Sequence, residues 1–326
     1  MFKSVYAIEL QSYYELRQRS LGESAIKHES CYLKRFDTYL QNKVVTRREL
    51  TESVINEWIK TLTGKSSSVE NEVIVIRQFL RYLKLSGIKI YIPVIPKVHD
   101  DYVPYIFSDE EIKSIFDAAD NIVVKDKKAD SAIVIEFPVI LRLLYSCGLR
   151  IGETIRIRLS DVDFERGILY MYNTKNDKHR IVPVSNEMKV ILQKYRIVNG
   201  LLDTNEEWLF PSQVKKGEHI SERSIKNKFT TIIKRNGIEV PNRKKRERGP
   251  CLHCLRHVFA FKSFEQSERA GRHLDDAIPY LSIYLGHDSL NETSKYLKFS
   301  NELFPEAIDC FGNFMDSLIS EVDYEA

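Results

Sequence analysis

The chain of 326 residues contains no apolar run approaching the roughly 18 residues of a membrane-spanning helix. Its start, MFKSVYAIELQSYY, lacks the apolar core of a secretory signal, so a cytoplasmic location is expected. Cysteine is scarce. The five present, Cys31, Cys147, Cys251, Cys254 and Cys310, are odd in number and scattered, which argues against a disulfide framework. Internal repeats and low-complexity segments are also missing, and with them the solenoid and disordered-tract classes. What remains is an ordinary globular composition, 43% hydrophobic and 29% charged, in a chain long enough for two domains.

The net charge of +3 conceals an asymmetry. Residues 299–326 hold seven acidic side chains and no Lys or Arg, so the preceding 298 residues carry +10. Within that basic body, residues 215–250 contain twelve Lys or Arg against four acids. The densest cluster is NRKKRERG at 242–249, with Arg243, Lys244, Lys245, Arg246 and Arg248. A solvated surface loop would account for the cluster; so would a polyanion, because each phosphate neutralised releases condensed counterions.

Hydrophobic spacing divides the chain. Residues 1–95 read as a helical domain of about four helices: Ile26, Leu33, Phe36 and Leu40 share one face, and Val73, Ile76, Leu80 and Leu83 share another behind candidate serine caps at 66–68. Prolines 93, 96 and 104 then interrupt the pattern and predict an extended linker at 96–105. Ser108 and Glu111 form a capping-box signature that starts a second domain, 106–300. In it, GILYMYNTKNDKHRIVPVS alternates and turns like a β-hairpin with Lys175 near its tip, and Pro183 requires an edge position in the returning strand. RIGETIRIRLSDV suggests a helix. The fold class is therefore mainly α with a small β-hairpin or sheet. The tail, 301–326, spaces Phe304, Ile308, Phe311, Met315, Leu318 and Ile319 like a helix that packs on its own domain or on another subunit.

Several short segments carry chemistry. Arg150 lies beside Glu153, three residues on, which by itself reads as a structural ion pair. His253 and Arg256, at i and i+3, should project the same way from a helix, as many solvated pairs do. Cys251, His253, Cys254 and His257 supply four zinc-type donors within seven residues, but adjacent donors on a helix diverge, and structural zinc sites draw on two separated segments. Tyr280 and Tyr284 lie on an apolar helical pattern and read as core.

Taken in order, GLRIGE, Lys175 in a hairpin 25 residues after Arg150, HCLRH, LGH, and Tyr296 nine residues beyond His287 resemble the tyrosine recombinases, the phage integrase family. The resemblance covers residues 105 to about 300 through motifs and the N-terminal domain through helical layout only. It implies a two-domain DNA clamp with a core-binding N-terminal domain. Residue by residue, it implies Tyr296 as nucleophile, Arg150 and Arg256 as phosphate clamps, Lys175 as general acid with Lys178 as its competitor, His253 and His287 as hydrogen-bonding and proton-transfer groups, and Glu153 as support for Arg150. The expected product is a 3′-phosphotyrosyl ester with a free 5′-hydroxyl. No metal or other cofactor is expected, since the ester keeps the bond energy and no compact Asp/Glu cluster appears. Expected partners are duplex DNA recombination sites, with a homo-tetramer assembling on DNA and accessory bending or directionality factors possible; nucleoid association would follow. The readings that compete are relaxation of DNA by a type IB topoisomerase and a non-catalytic DNA-binding protein of the same fold. Cys254 departs from the family pattern, which commonly places an acidic residue there.

Overall fold

The computed structural model describes residues 2–43, 49–97, 104–123, 131–172, 179–202, 204–240, 249–287, 289–290 and 293. The chain divides into two compact units, Met1–Tyr102 and Val103–Ala326.

The first unit is built from α1 (Ala7–Gln18), α2 (Glu23–Asn42), α3 (Glu52–Thr61) and α4 (Ser66–Leu85). Its core follows the sequence periodicity. Leu33, Phe36 and Leu40 of α2 and Val73, Ile76, Leu80 and Leu83 of α4 are buried around Trp58 of α3, whose ring meets Phe36 edge-on at 5.0 Å. Ile26 is only partly buried. The serines at the start of α4 do not cap it: the N-cap is Lys65, and no side chain accepts from the first turn. Asp37 is buried and accepts the backbone N–H groups of Lys3 and Ser4, both at 2.9 Å, which fixes the chain just ahead of α1.

The second unit opens with α5 (Asp109–Asp120), where Ser108 and Glu111 make both bonds of the capping box. It continues through α6 (Ser131–Ser146), α7 (Ile151–Thr154), strands β1 (Val162–Asp163), β2 (Ile168–Met171) and β3 (Arg180–Pro183), then α8 (Asn186–Val198), α9 (Glu222–Arg235), α10 (Leu252–Arg269) and α11 (Leu274–Leu285). The sheet is antiparallel in the order β1-β2-β3, so β3 is an edge and Pro183, opposite Ile168, forfeits no donor that a further strand would use. Leu169, Met171 and Val182 face the core, and Tyr172 faces solvent. The mainly α fold class with a small sheet is thus observed, the sheet having one short strand more than the expected hairpin.

Two local expectations fail for tertiary reasons. The helix after Arg150 lasts four residues; beyond it Ile155 and Ile157 are buried at alternate positions, and the extended chain bridges Arg158 to Trp208. Tyr280 is 77% exposed and so does not serve the core, whereas Tyr284 stacks on Phe259 at 5.4 Å, where burial raises its phenol well above the usual range. α10 and α11 close on each other through Ala260, Phe261, Phe264, Ile278, Leu281 and Leu285. That contact brings the start of α10 and the end of α11 to the loop after α6.

Candidate active site

Two glycines shape the point of convergence. Gly148, after α6, has φ +59°, and a Cβ there would lie 2.4 Å from the Phe259 ring. Gly286 caps α11 in the left-handed region at φ +65°, with the Arg180 guanidinium 3.2 Å from where a Cβ would stand. The sharp turns leave the carbonyls of Gly148, Leu285 and Gly286 available to side chains.

Arg256 takes two of them. It is 1% exposed and donates from Nη1 to the Gly148 carbonyl at 2.6 Å and from Nη2 to the Leu285 carbonyl at 2.7 Å. Arg150, at the N-cap of α7, reaches the same Leu285 oxygen from Nη1 at 3.5 Å and the Gly286 oxygen from Nη2 at 3.3 Å. One carbonyl at the end of α11 therefore gathers both guanidiniums, and its position there gives it the negative end of the helix dipole. The expectation that His253 and Arg256 share a solvated face is corrected: His253 is exposed, its ring against His257 at a centroid distance of 4.6 Å, while Arg256 is interior. Three residues on, the helix has turned about 300°, so the two side chains point about 60° apart, with Arg256 on the buried side of the helix and His253 on the exposed side.

Glu153 bonds Arg150 Nη1 at 3.0 Å and also accepts from Arg180, which starts β3, at 2.7 and 3.3 Å. Burial pushes its carboxyl up, but the hydrogen bonds and charges of Arg180 and Arg150 outweigh that and hold it below the usual carboxylate range. Two guanidiniums thus share one carboxylate.

His287 follows Gly286. Its Nε2 lies 3.0 Å from Arg256 Nη2 and its Nδ1 lies 2.6 Å from Thr293 Oγ1. A guanidinium only donates, so Nε2 accepts and Nδ1 carries the proton, donating to the threonine. Burial, followed by the charges of Arg256, Arg150, His253 and Arg180, lowers its pKa to about 3, so the ring is neutral at pH 7.

Of the candidate residues, the structure brings together Arg150, Glu153, Arg256 and His287, with His253 exposed nearby. Lys175 with its competitor Lys178, Tyr296, and the cluster Arg243, Lys244, Lys245, Arg246 and Arg248 lie outside the described residues, as does the tail. Sequence reasoning missed Arg180, Thr293 and the three carbonyls. Arg180 left one signal, an arginine opening a strand whose next residues are apolar; the carbonyls left none, because backbone groups are the same in every residue. For the zinc alternative, no group of three or more metal-type donors is found among the described residues. Beside Arg150 runs an open groove of about 630 Å³ lined by Arg156, Arg158, Tyr170, Tyr172 and Trp208, with the Arg158 guanidinium 5.6 Å over the Trp208 ring.

Residues 106–302 match the model of the phage integrase family. The chain is 25% identical over 293 residues to the tyrosine recombinase XerC of Staphylococcus saprophyticus, covering 87% of this chain and 90% of that protein. Its fold is that of the XerH site-specific recombinase in its post-cleavage complex with palindromic difH substrate (TM-score 0.67, 19% identity, 93% of this chain and 84% of that one). A lambda integrase fragment, crystallised as a dimer on a COC′ core site, is similar (TM-score 0.64, 17% identity, 88% and 93%). The chain belongs to the phage integrase family and is a tyrosine site-specific recombinase.

Proposed function

We propose that this recombinase cleaves and rejoins DNA strands at paired duplex sites through a 3′-phosphotyrosyl intermediate on Tyr296. The observation that carries the proposal is the meeting of Arg150 and Arg256 on one carbonyl oxygen, with His287 hydrogen-bonded to the second arginine. In-line attack on a phosphodiester builds charge on the nonbridging oxygens, and two guanidinium forks stabilise that charge bidentately. The Leu285 oxygen holds both forks before DNA arrives, so little reorganisation remains for the reaction. Arg256 then meets the phosphate by exchanging its bond to His287, and the released Nε2 takes up the proton that the Tyr296 phenol loses as it attacks phosphorus.

In this account Lys175 protonates the departing 5′ oxygen, and the phenol of Tyr296, otherwise protonated at pH 7, is activated by the surrounding positive charge. His253 contributes a hydrogen bond from the solvent side. Glu153, neutralising Arg180 and orienting Arg150, is a positioning residue. The chemistry conserves the ester and calls for neither ATP nor a divalent metal. Residues 1–95 act as the core-binding domain joined through 96–105 to the catalytic domain, 106–300. The two domains grip the duplex as a clamp, with Arg243, Lys244, Lys245, Arg246 and Arg248 on the DNA backbone. Four copies synapse two sites, and residues 301–326 dock on a neighbouring copy. The setting is the cytoplasm, on the nucleoid.

A DNA substrate nicked beside the cleavage point, so that the short product diffuses away, tests the reading. Native protein accumulates a covalent protein–DNA adduct, and Tyr296→Phe gives none while still binding the DNA. An undiminished adduct in Tyr296→Phe would refute the assignment.

A further inference from the structure

The sequence CLHC at 251–254 carries two sulfurs, those of Cys251 and Cys254, of which recombination makes no use. In the structure these two residues span the first turn of α10. Cys251 is the N-cap and exposed, Cys254 is fully buried, and their Sγ atoms lie 3.6 Å apart with neither in a disulfide. The Cys254 amide donates to the Cys251 carbonyl at 2.9 Å, so the backbone already holds the pair in register. Closing from 3.6 Å to the roughly 2.0 Å of a disulfide needs a side-chain rotation and no movement of one segment past another.

We propose that Cys251 and Cys254 are a redox-active dithiol that closes reversibly to a disulfide and, in closing, slows DNA cleavage. The exposed thiol of Cys251, which an oxidant can reach while Cys254 is buried, is the attacking group. The buried one, whose thiol the neighbouring Cys251 and burial both hold in the protonated form, resolves. With a hydroperoxide as oxidant, the Cys251 thiolate attacks one peroxide oxygen and becomes a sulfenic acid, releasing hydroxide or alkoxide. Cys254 then attacks the sulfenic sulfur and displaces hydroxide, which leaves as water with the Cys254 proton. Two thiols lose two electrons and the peroxide gains them. The bridge tightens the turn that carries His253, one turn ahead of Arg256, which is how sulfur oxidation reaches the phosphate clamps. That coupling rests on the function proposed above; the dithiol chemistry does not.

The test treats the full-length native protein and Cys251→Ser with hydrogen peroxide, quenches, denatures and titrates thiols, with peptide mass mapping. Native protein goes from five thiols to three, the missing two bridged between Cys251 and Cys254, and dithiothreitol restores five. Cys251→Ser, altered only at an exposed atom group, forms no such bridge. Oxidation that consumes exposed Cys31 while the 251–254 peptide stays dithiol overturns the proposal. In parallel, oxidised native protein forms adduct on the nicked DNA at least about tenfold more slowly, recovers on reduction, and the serine variant shows no such loss. Equal cleavage by bridged and reduced protein overturns the coupling alone. Absence of adduct even from reduced protein counts against the proposed function and leaves the thiol result standing.

Discussion

The two units of the chain handle buried charge in opposite ways. Among the described residues of the N-terminal unit each buried acid is matched: Arg17 meets Glu29 at 2.6 Å, Arg35 pairs with Glu72, and Asp37 accepts two backbone amides. In the second unit Arg150 and Arg180 share the one carboxylate of Glu153, while Arg256, 1% exposed, donates to the backbone carbonyls of Gly148 and Leu285. Burying charge is expensive, and the carboxylate of one unit and the backbone carbonyls of the other offset that cost by different means. A pairing that only stabilised the fold would resemble the first unit. Under the function proposed above, the second serves the phosphate of bound DNA.

That contrast can be broken most sharply at Arg150. Arg150→Ala should lower the single-turnover cleavage rate about 100- to 1000-fold, as losing one preorganised donor does. Melting should shift little, because Glu153 keeps Arg180. Gly148→Ala follows, expected to destabilise by about 2–4 kcal/mol in a denaturant titration, through the left-handed backbone and the collision with Phe259.

Glu153→Gln should cost about 2–3 kcal/mol at pH 7, because it leaves two guanidiniums beside a neutral amide. The folded-state pKa of Glu153 is depressed, so its stabilisation is present above pH 4.5 and lost as pH falls through the lower folded value. Native and variant should therefore converge in acid. Glu136, 2% exposed in α6, gives the reverse case: burial alone pushes its carboxyl up to about 8. Native protein loses stability as pH rises from about 4.5 to 8, and Glu136→Gln should gain on it by up to about 1.4 kcal/mol per pH unit. The smallest effect belongs to the matched unit. Arg17→Gln should cost about 1 kcal/mol and leave cleavage of bound DNA unchanged, read by melting and by adduct formation.

What could be read in the sequence was whatever repeats or sits locally. The stripes of α2, apart from Ile26, and of α4, the Ser108–Glu111 box and the edge place of Pro183 depend on neighbours within a few residues, and these appear. Arg150 beside Glu153 was legible for the same reason. The burial of Arg256, the second partner of Glu153 and the carbonyl that joins the arginines depend on α10 meeting α11 and β3, and no spacing encodes that. Tyr280 misled because an apolar pattern marks which residues can be buried, while the packing of α11 against α10 decides which are.

The central claim, that the guanidiniums of Arg150 and Arg256 gathered on the Leu285 carbonyl serve the scissile phosphate, is tested most directly by Arg256→Lys. Its single-turnover cleavage rate and its equilibrium DNA affinity should be measured side by side on the nicked substrate. Lysine keeps the charge and loses the fork, so the account predicts cleavage down by about 100-fold or more with affinity within about threefold of native. Cleavage at the native rate would contradict it.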